Sequence, residues 1–229
     1  MATKFTAILV HGAWADGSSW SKVIPRIEDA GILPVAVQLP LTSLEDDVAT
    51  VKRALALQEG PVVLVGHSYG GVVITEAGAD PKVKGLVYVA AFAPGAGESA
   101  GSLGASAPPS PMGAEVRPDA QGFLRLTREG VFTGFAQDLP EIEKRILFAA
   151  QAPTNGKALG GNVTTPAWKN KKSWYLVASE DRAIQPELER TMAKRIGATV
   201  VSVGSSHVAM LSHPKEVASL IADAVSGCA

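Results

Sequence analysis

Val62-Val63-Leu64-Val65-Gly66-His67-Ser68-Tyr69-Gly70-Gly71-Val72-Val73-Ile74-Thr75-Glu76-Ala77 changes character twice. Val62 to Val65 is an unbroken apolar run without polar alternation, which reads as a strand buried on both faces of a parallel sheet. From Tyr69 to Ala79 the pattern is helical. The turn between them, Gly66-His67-Ser68-Tyr69-Gly70, has the G-x-S-x-G spacing in strand-turn-helix context. That arrangement forces a serine into a strained turn with its Oγ exposed. Side chains at the flanking glycines would collide with the neighbouring strand and helix.

Working outward, Ala7 to Val10 and Leu86 to Ala90 repeat the buried-strand signature, and Leu33 to Val37, ended by Pro40, is a weaker strand. Helical patterns lie between: Ser19 to Ala30 with Gly31 as a stop, and Ser43 to Leu57 with Gly60 as a stop. Ser43 followed by Asp46 is a capping-box-like start. After an interruption the pattern resumes with strand Ser173 to Ala178, helix Pro186 to Ile196, strand Thr199 to Val203 and a final helix near Lys215 to Val225. Six strands alternating with helices predict an α/β fold, a mainly parallel six-stranded sheet with helices on both faces.

The predicted core is residues 1–93 and 173–229, and residues 94–172 form an insertion. Gly95 to Pro111 has neither strand nor helix periodicity, whereas Leu139 to Ala150 looks helical. A structureless loop of that length is foreign to a compact domain, so the segment is expected to be a small, partly helical cap or lid.

Composition narrows the function classes. The chain has 229 residues, 46% hydrophobic, with a formal net charge of −1, which disfavours nucleic acid as a partner and a polybasic membrane anchor. No apolar run is long enough for a membrane span. Met1-Ala2-Thr3-Lys4 leads straight into an apolar strand, without a secretion signal, so a cytoplasmic location is expected. The single cysteine, Cys228, permits neither an intrachain disulfide nor a thiolate metal site. No metal or cofactor is expected, and a homodimer is compatible with the sequence.

A serine hydroxyl needs a base within hydrogen-bond reach. Of the four histidines, His11 ends the first strand and His67 is the x of the turn. Both are expected to point inward and to hydrogen-bond the loop framework. His207, in Gly204-Ser205-Ser206-His207, follows the last strand, where a loop hangs an imidazole over the strand C-terminal ends. His213, before Pro214, reads as a surface turn. His207 is therefore the expected base for Ser68. The imidazole in turn needs a carboxylate. Asp181, after strand Ser173 to Ala178, fits the chain order Ser…Asp…His. Glu180 beside it is a rival that strand alternation does not separate inside a loop, and Glu98, after strand Leu86 to Ala90, is a more distant one. Donors for an oxyanion would be the N–H groups of Tyr69 and, from the loop after the first strand, Ala13.

Val10-His11-Gly12-Ala13-Trp14, Gly66 to Gly71 and Ser206-His207-Val208-Ala209-Met210-Leu211 together resemble the small cofactor-free α/β-hydrolases related to plant methylesterases, salicylate-binding esterases and hydroxynitrile lyases. The match covers nearly all the core. Ala15-Asp16-Gly17-Ser18-Ser19-Trp20 and the shorter cap resemble bacterial members. The resemblance implies a catalytic acid in an Asp-x-x-x-x-Pro loop, here Asp181 to Pro186, which supports Asp181 over Glu180. It also implies that lyases carry a threonine after the first-strand histidine and a lysine after the catalytic one. Gly12 and Val208 stand at those places and point to the esterase branch.

The expected activity is hydrolysis of small to medium hydrophobic carboxylic esters, the small-molecule ester being the partner. Other chemistry by the same triad (thioester or lactone hydrolysis, a lyase reaction) and a non-catalytic receptor are the alternatives. Trp14, Met112, Phe123, Phe132, Phe135 and Trp168 are candidate substrate contacts that would equally serve to pack the cap on the core. Trp14 and Trp20 are read as core or entrance residues rather than contacts to the reacting atoms.

Overall fold

The computed structural model describes residues 4–229. In chain order the first half contains β1 (Thr6–Val10), α1 (Ile24–Asp29), β2 (Leu33–Ala36), α2 (Leu44–Ala56), β3 (Val62–His67), α3 (Gly70–Ala77) and β4 (Val83–Val89). Between β4 and the next core strand lie α4 (Ala100–Ala105), β5 (Val116–Pro118), β6 (Phe123–Leu126), α5 (Glu141–Ala150), β7 (Thr154–Asn155) and α6 (Gly156–Gly160). The chain then returns through β8 (Lys172–Ala178), α7 (Pro186–Arg195), β9 (Thr199–Val203), α8 (Ala209–Ser212) and α9 (Pro214–Cys228).

The main sheet runs β2-β1-β3-β4-β8-β9 with every pairing parallel. Its central strands β1 and β3 are buried at every residue, while the edge strands β2 and β9 are only partly covered. That gradient explains the sequence signal: a strand covered on both faces must be apolar throughout, and an edge strand need not be. Parallel pairing brings the C-terminal ends of β1, β3, β8 and β9 to one edge, so the loops beginning at His11, Ser68, Ser179 and Gly204 gather there.

Three local features differ from the sequence expectation. The stretch from Ser19 to Ala30 is not one helix: a 3-10 turn, Gly17–Trp20, precedes α1, with Pro25 in the first turn of α1. Proline lacks the N–H that an earlier helical turn would need, so the helix begins there. Within Gly95 to Pro111, α4 forms despite its small residues. Ser99 caps it by accepting from Ser102 N at 3.1 Å, while Ser102 Oγ accepts from Ser99 N at 2.9 Å. The segment between β4 and β8 also holds a three-stranded antiparallel sheet, β5-β6-β7, that periodicity did not reveal. Among the described residues, no helix is long and apolar enough to cross a membrane.

Candidate active site

Ser68 sits in the left-handed region at φ 54, a conformation costly for a residue with a Cβ and retained only where the surroundings enforce it. Those surroundings are specific. Ser68 N donates to Val89 O of β4 at 3.3 Å, and Ser68 O accepts from Phe92 N at 3.1 Å and Gly71 N at 3.0 Å. The glycines let backbone pack directly on backbone. A Cβ on Gly70 would lie 2.4 Å from Val10 O, and one on Gly71 2.2 Å from Phe92 O.

The side chain after Ser68 is anchored as well. Tyr69 Oη donates to Asp47 Oδ2 at 2.7 Å, and the other Asp47 oxygen accepts from Leu41 N at 2.8 Å. Burial pushes the Asp47 carboxyl up to about 6, with its hydrogen bonds from Tyr69 and Leu41 opposing. This tie from α2 to the turn was not read from the sequence, because a helix opening Glu45-Asp46-Asp47 reads as an acidic first turn facing solvent.

His207 and Asp181 are both buried, and His207 Nδ1 lies 2.5 Å from Asp181 Oδ2. Asp181 Oδ1 accepts from Ala183 N at 2.6 Å and Ile184 N at 2.9 Å, so the carboxylate is held from both sides. Glu180, by contrast, is exposed. Glu98 is paired with Arg195 at 2.8 Å, and His213 is half-buried with its ring against Ser212 Oγ.

The two framework histidines are neutral. His11 Nδ1–H donates to Gly12 O at 2.9 Å while Nε2 accepts from Leu39 N at 2.9 Å; burial lowers its proton affinity. His67 Nε2–H donates to the His207 carbonyl at 2.9 Å. Burial first, and then the closeness of the His207 imidazole, hold its ring well below the usual imidazole range. His67 therefore supports the loop that carries His207.

Ser68 and His207 border one cavity of about 130 Å³, shared with Ala13, Trp14, Tyr69, Phe92, Ala100, Gly101, Met112, Leu159, Ala183 and Ile184. Neither the Ala13 nor the Tyr69 N–H is committed to a protein acceptor among the described residues. Apart from Ser68, the Tyr69 hydroxyl and His207, every side chain in this lining is apolar or absent, with Trp14 Nε1 turned away to Leu124 O at 3.0 Å. A larger recess of about 580 Å³ lies between α2 and α6. It is lined by Glu45, Lys52, Glu76 and Lys157 and brings no serine together with a histidine, so the smaller cavity is the candidate site.

Of the aromatic and thioether residues singled out in the sequence, Trp14 and Met112 line the cavity and the others do not. Phe123 is half-buried on β6. Phe132 lies beneath the Arg128 guanidinium, 4.1 Å from its ring centre. Trp168 donates through Nε1 to Pro94 O at 2.8 Å. Phe135 is buried behind the imidazole, with ring centres 5.2 Å apart, and touches Trp14 and His67 edge-on. Trp20 is in the core with no exposure. Phe92, Ala100, Leu159 and Ile184 complete the lining and were not singled out. Apolar character alone carries no direction, so only the fold selects among them.

A family model described as "Alpha/beta hydrolase family" matches residues 7–220. The chain belongs to that family. A carbendazim hydrolyzing esterase of Nocardioides sp. (strain SG-4G) is 36% identical over a stretch covering 47% of this chain and 50% of that protein. A pyrethroid hydrolase of Sphingobium wenxiniae is 27% identical, covering 94% of this chain and 86% of that protein. The crystal structure of a pyrethroid hydrolase superposes with a TM-score of 0.84 at 25% identity, over 98% of each chain. The chain, similar to proteins named as esterase and hydrolase, is a carboxylic ester hydrolase.

Proposed function

We propose that the hydrolase cleaves small, uncharged, hydrophobic carboxylic esters through an acyl-enzyme on Ser68. The observation that carries this reading is the buried His207–Asp181 hydrogen bond at 2.5 Å beside a serine strained at φ 54, with serine and imidazole facing one cavity. In this reaction His207 Nε2 takes the Ser68 proton as Oγ attacks the carbonyl carbon, while Asp181 holds the Nδ1–H tautomer and stabilises the imidazolium. The Ala13 and Tyr69 N–H groups receive the oxyanion, each worth about 3 kcal/mol of barrier. The tetrahedral intermediate collapses as the imidazolium gives its proton to the leaving alcohol. Water then attacks the acyl-enzyme by the same route in reverse.

Size and polarity of the cavity support the substrate class. A cavity of about 130 Å³ without a cation offers nothing to a free carboxylate or phosphate on the substrate. Gly12 supports hydrolysis over the lyase alternative, since a Cβ there would lie 2.7 Å from Ser68 Cβ and press on the nucleophile.

The test is steady-state turnover of p-nitrophenyl esters of increasing acyl length. Wild type is expected to prefer short chains, and Ser68→Ala to lose about 10⁴- to 10⁶-fold in kcat. Residual turnover near the wild-type level in Ser68→Ala would overturn the assignment of the nucleophile.

A further inference from the structure

Glu189 is a second buried carboxyl beneath the triad, and the reaction above does not use it. It lies in the first turn of α7 and is fully buried, although Glu187 and Arg190 around it are exposed and pair with each other at 2.5 Å. Glu189 Oε2 accepts from Ala178 N at 3.1 Å, at the end of β8. Its Oε1 is buried and takes no N–H or O–H donor among the described residues. Ala178, whose N–H it accepts, also accepts from Asp181 N at 3.2 Å, so the two acidic residues flank one residue at the end of β8 and their carboxyls act on each other. Two buried carboxyls so placed cannot both be ionised, and a hydrogen bond between them requires one proton.

The donor sets decide which group keeps that proton. Asp181 accepts from Ala183 N, Ile184 N and the His207 ring, and three donors favour the anion. Glu189 has one N–H donor. The geometry points to Glu189 as a protonated positioning residue whose O–H donates to Asp181 and fixes the carboxylate that orients His207. Burial, and then the Asp181 charge, hold the Glu189 carboxyl well above the usual carboxylate range. The other titratable groups acting on it are the Tyr175 hydroxyl of β8, which donates to Ala91 O, and Arg190 on its own helix.

This role rests on the triad reading, and two measurements separate the two. The first is the infrared difference spectrum between wild type and Glu189→Gln at pH 7. The expected result is the C=O stretch of a protonated carboxyl in wild type that disappears in the variant. A difference showing only ionised carboxylate bands would overturn the proposal, and this readout stands whatever the identity of the nucleophile. The second is kcat. Glu189→Leu removes the donor and is expected to lower kcat about ten- to a hundredfold, the scale of one hydrogen bond to a charged group. Glu189→Gln supplies an N–H in its place and is expected to recover most of that loss. Wild type is expected to lose kcat at alkaline pH as Glu189 ionises, and Glu189→Gln to lack that decline. A folded Glu189→Leu protein with wild-type kcat and pH profile would also overturn it. Where that variant does not fold, the infrared result and the Gln pH profile decide alone.

Discussion

The parallel core and the segment between β4 and β8 contain glycine for opposite reasons. Around Ser68 the glycines mark places where backbone lies against backbone, with carbonyl oxygens 2.4 Å or less from where a Cβ on Gly70 or Gly71 would sit. In the inserted segment Gly104 and Gly160 face open space. Gly130, Gly134 and Gly161 are the exceptions, packed against Glu115 and Met112 of the same segment and Leu44 of α2. The helix α5 carries the difference further. None of its residues is buried, and Ile142 and Ile146 are 60% and 59% exposed. Ser68 is thus set where backbone leaves no room for a side chain, whereas the inserted segment, tied to the core through bonds such as Trp14 N to Thr154 Oγ1 and Ser206 N to Asp138 Oδ2, leaves open space at several of its own glycines and along α5.

The sharpest way to break this comparison is to fill the core positions. Gly70→Ala and Gly71→Ala would each drive a methyl into a carbonyl oxygen of a neighbouring strand or loop, with no flexible side chain to yield. The expected loss exceeds about 3 kcal/mol, the overpacking range and beyond, read as a lower urea midpoint or as insoluble protein. A Gly70→Ala protein as stable as wild type would show that the turn is looser than its contacts imply.

Phe135 tests one of the attachment points. It belongs to the insert but its buried ring covers His207, His67 and Trp14. Phe135→Ala is expected to cost about 3–5 kcal/mol and to lower kcat together with stability, because the cavity opens beside the imidazole. Loss of stability with kcat intact would mean that the His207–Asp181 bond and the His67 tie hold the ring without help from the insert.

The same contrast explains what the sequence made legible. Strands buried on both faces leave apolar runs, and the Gly66 to Gly71 turn has a spacing that only a strained serine needs, so the central sheet and Ser68 could be read directly. The pairing of His207 with Asp181 could be expected because chain order and the C-terminal edge of a parallel sheet restrict where such partners stand. The strands β5, β6 and β7 are too short to show alternation. Direction was equally hidden: Phe123, Phe132 and Trp168 are as apolar as Met112, yet each points elsewhere. Glu189 was the least legible of all. In Pro186-Glu187-Leu188-Glu189-Arg190 it has the charge pattern of a solvated helix face, and only the fold turns it toward Asp181.

The smallest expected effect has the opposite sign and so sharpens the comparison most cleanly. Gly104 lies in α4, does not have a positive φ, and has nothing within 4 Å of where a Cβ would be placed. Gly104→Ala should therefore raise stability by about 0.4–1 kcal/mol, since alanine has less backbone freedom to lose on folding and favours the helix. The same substitution type that breaks the core would then strengthen the cover. Because α4 contributes Ala100 and Gly101 to the cavity wall, the variant also reports on motion there. If the cover opens to admit substrate, stiffening α4 lowers kcat while stability rises. If kcat and KM both stay at wild-type values in the stabilised protein, substrate enters without unfolding or displacement of α4.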